Sequence, residues 1–159
     1  MVELGSGVSS VVVGRLLAQR GGKLTTIEHD PVWAQVVRSQ IERERLHDSV
    51  EVIASSLEEH PAGWSGAPWY SGESISLLPS AISLLVVDGP PGYGEGMSHS
   101  RYPALPALGD RIDEGGIIFL DDADREPERE IVAKWSEEMP AFSFGIDAAG
   151  GFAIGRRAG

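Results

Sequence analysis

The chain has 159 residues, 42% of them hydrophobic, which predicts one folded domain with a hydrophobic core. Its 24 acidic and 13 basic residues give a formal net charge of -11, which disfavours nucleic acid and favours a cationic or neutral small molecule as partner. The absence of cysteine excludes disulfides and thiolate chemistry. No apolar run approaches the ~20 residues that cross a bilayer, and no signal-peptide pattern opens the chain. We therefore expect a cytoplasmic protein with no membrane partner.

Strand-like and helix-like segments alternate from the first residues onward. A short strand at 2–4 precedes a helix at 8–19, which Gly21-Gly22 ends. A second strand at 23–28 precedes a helix at 31–46. The apolar side chains on one face of that second helix are Val32, Trp33, Val36, Val37 and Ile41.

The second half of the chain continues this alternation. Further strands are predicted at 50–54, 82–87 and 116–120, and further helices at 102–113 and 126–138. The runs 141–146 and 152–156 flank a DAAGG turn and predict an antiparallel hairpin. Residues 60–80 fit neither period, and we interpret them as a surface excursion, either a small hairpin or a lid. Alternating strands and helices predict an α/β fold with a mostly parallel sheet.

Polar residues follow every predicted parallel strand. Ligands of open α/β sheets bind beyond the carboxyl ends of the strands, so these residues are candidates for one site. They are Glu3 with Gly5-Ser6-Gly7, Glu28-His29-Asp30, Ser55-Ser56, Asp88-Gly89 and Asp121-Asp122. Each group alone has an ordinary explanation as a tight turn or a helix cap. All five at one sheet edge predict a ligand site.

The spacing of the glycine turn and Glu28 indicates the kind of ligand. Glu28 lies 21 residues beyond Gly7, as expected for an acid that accepts the two ribose hydroxyls of an adenosine. The turn lacks the third glycine of the dinucleotide fingerprint G-x-G-x-x-G, and the acid Glu3 precedes it. An acid there disfavours a pyrophosphate and favours an ammonium or sulfonium group. The pattern therefore disfavours NAD.

Four segments resemble the motifs of the class I S-adenosylmethionine-dependent methyltransferases: VELGSGVSS, TTIEHDP, LLVVDGPPG and GGIIFLDDAD. Their order and spacing are similar to the small O-methyltransferase branch that includes catechol O-methyltransferase. The resemblance implies a Rossmann-like, doubly wound sheet with a C-terminal antiparallel hairpin strand, formed by one domain over residues 1–159. It also implies methyl transfer from S-adenosylmethionine to an oxygen of a small molecule.

The resemblance assigns residues at these strand ends to the cofactor. Those beside its amino acid part are Glu3, Gly5, Ser6 and Gly7, with Ser9 and Ser10 opening the next helix. Those beside its adenosine are Glu28 at the ribose, His29 along the adenosine, and Ser55, Ser56 and Leu57 at the adenine. Asp88 would stand beside the methionine portion and the transferred methyl group.

The metal-dependent branch of the resembled family holds Mg²⁺ with an Asp after the fourth strand and an Asp-Asn pair after the fifth. The matching positions here are Asp88, Asp121 and Asp122. A bound Mg²⁺ would lower the pKa of a substrate hydroxyl. Asp122 in place of asparagine, and the sequence DGPPG after the fourth strand, depart from that branch. The alternative is a metal-free enzyme in which these residues contact cofactor, orient substrate and cap a helix.

Three residues of the loop after the fourth strand are further candidates. His99 is a candidate general base and Tyr93 a candidate substrate contact, although a glycine-rich loop often carries such residues without function. Arg101 is a candidate partner for an acidic group on the substrate.

The first motif begins at Val2, whereas members of the resembled family carry more of the first strand and usually helices before it. We expect that the sequence is truncated or that its start was assigned late, and that upstream residues strengthen cofactor binding. Two other classes stay open from the sequence: a ligand-binding module without catalysis and a nucleotide-dependent oxidoreductase.

Overall fold

A computed structural model describes all 159 residues of the chain. The strands are β1 (Val2–Leu4), β2 (Leu24–Glu28), β3 (Val50–Ala54), β4 (Leu57–Glu58), β5 (Trp69–Tyr70), β6 (Ile82–Val87), β7 (Ile112–Asp121), β8 (Phe142–Asp147) and β9 (Phe152–Arg157). The helices are α1 (Val8–Arg20), α2 (Pro31–Arg43), α3 (Gly72–Ser76), α4 (Ala104–Leu108) and α5 (Glu126–Glu138), with a 3₁₀ turn at Gly109–Arg111. None of these helices has the length and hydropathy needed to cross a membrane.

Seven strands form one sheet in the order β3-β2-β1-β6-β7-β9-β8. The first five in this order run parallel to one another, while β9 lies antiparallel between β7 and β8. This arrangement confirms the predicted Rossmann-like sheet with a C-terminal antiparallel strand. The chain leaves β1 toward β2 on one side and later returns to β6 on the other, so the strand order reverses at β1. Such a reversal opens a crevice at the carboxyl ends of the strands.

The sheet has a hydrophobic core on each face. Side chains alternate between the two faces along a strand, so residues three apart on one strand point in opposite directions. Leu24 and Val50 pack with α1 and α2, whereas Ile27 and Ile53 belong to the larger core that α3, α4 and α5 cover. Helices on both faces are the reason why β6 is a nearly continuous apolar run.

Two predicted segments differ from the structure. Residues 60–80 do contain the second strand of a small hairpin, β5, which pairs with β4 just before the segment, but Trp69 and Tyr70 are fully buried. The interpretation of this segment as a surface excursion was therefore wrong at its aromatic pair. The helix predicted at 102–113 is limited to α4 and the short 3₁₀ turn, because β7 already begins at Ile112.

The apolar face of α2 is only partly covered by the rest of the protein. Val37 and Ile41 are buried, but Val32, Trp33 and Val36 are exposed. Trp33 and Val36 border an apolar groove of 310 Å³ between α1 and α2, which Val11 also lines. The apolar stripe read from the sequence is thus wider than the surface that the sheet covers.

Candidate functional site

A cleft of 330 Å³ lies at the β1–β6 reversal, a volume within the usual range for small-molecule sites. Its walls come from the segments that follow β1, β2 and β6. The lining residues are Gly5, Ser6, Glu28, His29, Asp30, Trp33, Asp88, Gly89, Pro91 and Tyr93. Five of them were assigned to the cofactor from the sequence: Gly5, Ser6, Glu28, His29 and Asp88. The charged side chains of the cleft are all carboxylates apart from the imidazole of His29, so the cleft favours a cationic ligand.

The turn after β1 and the loop after β6 touch backbone to backbone. Gly5 has φ +90°, and a Cβ placed on it would lie 3.0 Å from the carbonyl carbon of Asp88. A Cβ on Gly89 would lie 2.9 Å from Cα of Gly5 and 2.5 Å from the hydroxyl oxygen of Tyr70. Only glycine fits at both positions, and this contact forms the floor of the cleft.

Glu28, at the end of β2, is a buried acceptor that already holds the glycine turn. Its Oε2 accepts hydrogen bonds from the backbone N–H and the hydroxyl of Ser6, both at 3.0 Å. Its Oε1 accepts from the backbone N–H of Asp30 at 2.9 Å and lies 2.9 Å from Nδ1 of His29. A ligand hydroxyl at Glu28 therefore has to replace one of these donors; of the two side chains, Ser6 and His29, we expect the smaller Ser6 to rotate away.

The start of α2 contributes two lining residues, of which the sequence placed Asp30 among the strand-end candidates and did not identify Trp33 as a site residue. Asp30 caps the helix by accepting from the N–H groups of Val32 (2.8 Å) and Trp33 (3.1 Å). The indole N–H of Trp33 donates to the carbonyl of Ser6 at 2.9 Å and so ties α2 to the glycine turn. A helix that begins shortly after Glu28 must bring its first turn to this edge, which is the signal that could have predicted Trp33.

Several residues assigned to the cofactor shape the turn from behind and do not line the cleft. Ser10 donates its hydroxyl to the buried carboxylate of Glu3 and accepts from the N–H of Gly7 at 3.0 Å. Ser9 is exposed on α1, and Gly7 borders the apolar groove between α1 and α2. These contacts fix the path of the chain from β1 into α1.

The residues predicted to flank an adenine lie at the end of β3. The N–H of Ser55 donates to the carbonyl of Glu28 at 2.8 Å, which places this strand end directly beside the end of β2. The Ser55 hydroxyl donates to the carbonyl of Ser56 at 3.0 Å, and Leu57 begins the β4–β5 hairpin. None of the three borders the 330 Å³ cleft itself, so their role stays a prediction.

The three aspartates predicted as metal ligands do cluster. One carboxylate oxygen each of Asp88, Asp121 and Asp122 lies within 4.8 Å of the others. The guanidinium of Arg101, only 4% exposed, reaches into the same cluster. Its Nη1 lies 2.9 Å from Oδ2 of Asp122, and its Nη2 lies 3.2 Å from Oδ1 of Asp88.

Asp122 is already paired with two arginines. Its second oxygen, Oδ1, lies 2.8 Å from Nη2 of Arg125, so each oxygen of this carboxylate faces an arginine. Asp88 likewise has one oxygen on Arg101. The guanidinium group provides a fixed positive charge, and a second cation beside it would be repelled. As arranged, these side chains do not fit a divalent cation.

Burial dominates the electrostatics of this cluster. It raises the pKa of Asp88 to about 6; the Arg101 guanidinium opposes this shift, and the neighbouring carboxylates of Asp121 and Asp122 add to it. Burial also raises the pKa of Glu128, whose carboxylate lies 3.6 Å from Nη1 of Arg101 and receives no hydrogen bond. The carboxylates of Asp88, Asp122 and Glu128 thus surround the guanidinium of Arg101.

The remaining loop candidates fall in different places. Tyr93 lines the cleft and is 76% exposed, so it is free to contact a substrate. His99 instead stacks on Trp64 with ring centroids 3.9 Å apart, and its Nε2 lies 2.7 Å from the Glu130 carboxylate. Neither partner lines the cleft, and His99 does not line it either. The donors of Arg101 are used inside the protein, so the structure does not offer it to an acidic substrate group.

Comparison with known proteins agrees with this geometry. A family model described as a methyltransferase domain matches residues 2–123. Among curated proteins, none matches the chain. Similar solved structures include an O-methyltransferase from Bacillus cereus in complex with SAH, 20% identical, with a TM-score of 0.68, covering 98% of this chain and 72% of that one. The O-methyltransferase TomG from Streptomyces achromogenes, in complex with SAM, is 15% identical, with a TM-score of 0.69 and coverage of 99% and 72%.

A third similar structure is the SAH-bound methyltransferase PaMTH1 from Podospora anserina, 16% identical, with a TM-score of 0.72 and coverage of 99% and 70%. At such identities these structures show a common fold. The family model spans the glycine turn after β1, the acid after β2, the loop after β6 and the aspartates after β7. The chain therefore belongs to the methyltransferase-domain family, as the resemblance of its motifs predicted.

Proposed function

We propose that the chain transfers a methyl group from S-adenosylmethionine to an oxygen of a small molecule. The observation that carries this proposal is the cleft at the β1–β6 reversal, where the glycine turn, Glu28 and Asp88 line one space. A cleft with only carboxylates as fixed charges suits a sulfonium cofactor, whose charge is positive. Membership of the methyltransferase-domain family supports the same reaction.

In this proposal the cofactor extends along the ends of β1, β2 and β3. Its amino acid part lies against Gly5 and Ser6, on the turn that Glu3, Gly7, Ser9 and Ser10 shape. The ribose hydroxyls bind Glu28, because a carboxylate offers acceptors to two neighbouring donors. His29 lies along the adenosine, and Ser55, Ser56 and Leu57 flank the adenine.

The reacting end of the cofactor lies at Asp88. One oxygen of this carboxylate faces Arg101, while the side chain as a whole is 48% exposed and lines the cleft. Asp88 is therefore the candidate group to orient the acceptor hydroxyl and take its proton, with Tyr93 covering the acceptor from the loop. In-line transfer requires donor and acceptor to be held collinear, which two adjoining loops on one rigid sheet can do.

Calorimetric titration with S-adenosylhomocysteine tests the cofactor assignment. We expect one site per chain, and Glu28→Gln should weaken binding about tenfold or more, because hydrogen bonds to a charged acceptor are worth ~1.5–3 kcal/mol. Glutamine also loses acceptor capacity for Ser6, so circular dichroism must confirm folding. The matched control is Glu44→Gln, which removes a carboxylate of the apolar groove and should leave affinity unchanged.

Mass spectrometry of small phenols and alcohols incubated with chain and S-adenosylmethionine tests the reaction. A product heavier by one methyl group, dependent on Asp88, is the expected result. Binding of NAD in place of S-adenosylhomocysteine would contradict the proposal and favour an oxidoreductase.

A further inference from the structure

We propose that Arg101 is the resident cation of the Asp88–Asp121–Asp122 cluster and takes the place of a divalent metal ion there. It neutralises and positions the carboxylates, so that methyl transfer by this chain needs no metal. The inference that methyl transfer needs no metal rests on the proposed function, whereas the inference that Arg101 takes the place of a metal ion concerns only the cluster.

The hydrogen bonds of Arg101 carry this inference. A guanidinium has five N–H donors, and Arg101 makes four hydrogen bonds. Their acceptors are the carbonyls of Pro90 (3.3 Å), Asp121 (3.0 Å) and Asp88 (2.9 Å) and a carboxylate oxygen of Asp88 (3.2 Å). An ion pair with Oδ2 of Asp122, 2.9 Å from Nη1, adds a fifth contact, so the guanidinium is fixed in position and orientation.

These acceptors belong to the two strand ends that meet at the reaction site. Asp88 and Pro90 follow β6, and Asp121 ends β7, so Arg101 joins the carboxyl ends of neighbouring strands. A metal bound to aspartates after the same two strands would join them in a similar way. Arg101 does so permanently, because a guanidinium does not lose its proton under protein conditions.

The charges and contacts of the cluster disfavour the binding of a metal ion. Mg²⁺ binds oxygens at ~2.0–2.1 Å and keeps a near-octahedral shell. Both oxygens of Asp122 face arginines, so a metal ion would have to compete with them or rely on Asp88 and Asp121. An ion held by these two would lie beside the guanidinium, in a partly buried setting that screens repulsion poorly.

Arg101 is accordingly a positioning residue for Asp88. It holds the backbone carbonyl and one carboxylate oxygen of Asp88 at the same time, which fixes how this side chain faces the cleft. Lysine at this position would keep the charge but could not satisfy the four hydrogen-bond acceptors of Arg101 with one compact ammonium group.

Electron paramagnetic resonance of Mn²⁺ tests, without any substrate, whether Arg101 takes the place of a metal ion in the cluster. We expect no saturable Mn²⁺ site in the unaltered protein or in Arg101→Lys, which keeps the positive charge. Arg101→Gln removes that charge and should gain affinity for Mn²⁺ by about tenfold or more, since the three carboxylates then repel one another without compensation. The matched control is Arg111→Gln, because Arg111 donates to the carbonyls of Ile75 and Leu78 and contacts no carboxylate.

Micromolar Mn²⁺ binding by the unaltered protein would overturn the proposal, as would a properly folded Arg101→Gln without gain of affinity. If Arg101→Gln does not fold, the unaltered protein and Arg101→Lys still decide the question.

The inference that methyl transfer needs no metal predicts equal methyl transfer in EDTA and in Mg²⁺, with a lower kcat and similar KM in Arg101→Lys. Activity that disappears in EDTA and returns with Mg²⁺ would overturn it. No methyl transfer under either condition would instead refute the proposed function and leave the Mn²⁺ result intact.

Discussion

Replacing Gly89 by alanine tests the backbone contact at the floor of the cleft. The new Cβ would lie 2.9 Å from Cα of Gly5 and 2.5 Å from the Tyr70 hydroxyl, whereas carbon atoms pack best at ~3.5–4.0 Å. The loops cannot separate freely, because Gly5 donates to the carbonyl of Ile27 and Asp88 donates to that of Leu4, both at 2.9 Å. Overpacking of this kind costs ~1–3 kcal/mol.

The expected loss of about 2 kcal/mol corresponds to a Tm lower by about 4–8 °C for a chain of this length. Differential scanning calorimetry measures it, and calorimetric titration should also detect weaker binding of S-adenosylhomocysteine. Gly7→Ala is the matched control: it belongs to the same turn, its φ of 179° suits any residue, and no atom lies within 4 Å of the new Cβ. Its stability should change by less than ~0.5 kcal/mol.

A double-mutant cycle identifies the clash itself. Tyr70→Phe removes the atom nearest to the new Cβ, and this hydroxyl has no hydrogen-bond partner in the protein. Tyr70→Phe should therefore recover part of the stability lost in Gly89→Ala, with a coupling of at least ~0.5 kcal/mol. Equal stability of Gly89→Ala and the parent, or an equal loss in Gly7→Ala, would refute the reasoning.

Two further substitutions test other contacts. Trp33→Phe keeps an aromatic ring but loses the N–H that donates to Ser6, so affinity for S-adenosylhomocysteine should fall by about 0.5–1.5 kcal/mol in calorimetric titration; unchanged affinity would mean that this bond does not hold the turn. Burial raises the pKa of Glu128, so the folded protein holds the proton of this carboxyl group more tightly than the unfolded chain does. Ionisation of Glu128 therefore lowers the stability of the fold as the pH rises through that pKa. Glu128→Gln should therefore raise the Tm at pH 8, with a gain that shrinks toward pH 4, and a gain that grew toward low pH would contradict this.

The parts of the site that the sequence predicted are those encoded locally. A strand followed directly by Gly5 and Gly7, by Glu28 or by Asp88 places these residues at the carboxyl edge of the sheet, whatever the rest of the chain does. The alternation of strands and helices makes the strands parallel, so all of these strand ends lie at the same edge of the sheet. For this reason the clustering of Asp88, Asp121 and Asp122 was predictable although the residues come from two strands.

The role of Arg101 was not predictable in this way. It lies 13 residues beyond Asp88 in a loop rich in glycine and proline, where a charged side chain is usually solvated. Its burial depends on the path by which that loop folds back over the ends of β6 and β7, and no periodic pattern encodes this path. The burial of Trp69 and Tyr70 has the same origin, since a short hairpin reveals its buried side only once it packs against the sheet.

The sequence also could not tell which part of the apolar face of α2 is covered. Helical periodicity places Trp33, Val36 and Val37 on neighbouring lines of one face, but the width of the contact depends on the shape of the sheet below. The structure covers Val37 and leaves Trp33 45% exposed, with its indole N–H engaged at the glycine turn. A residue read as part of a packing stripe therefore lines the cleft.

A crystal structure of the chain with S-adenosylhomocysteine tests the central claim most directly. The account predicts both ribose hydroxyls within hydrogen-bond distance of the Glu28 carboxylate, the Ser6 hydroxyl rotated away from it, and the sulfur atom next to Asp88. Arg101 should keep its four hydrogen bonds and its ion pair with Asp122 in that complex. A ligand bound instead in the apolar groove between α1 and α2, or one that leaves the Glu28–Ser6 bonds intact, would contradict it.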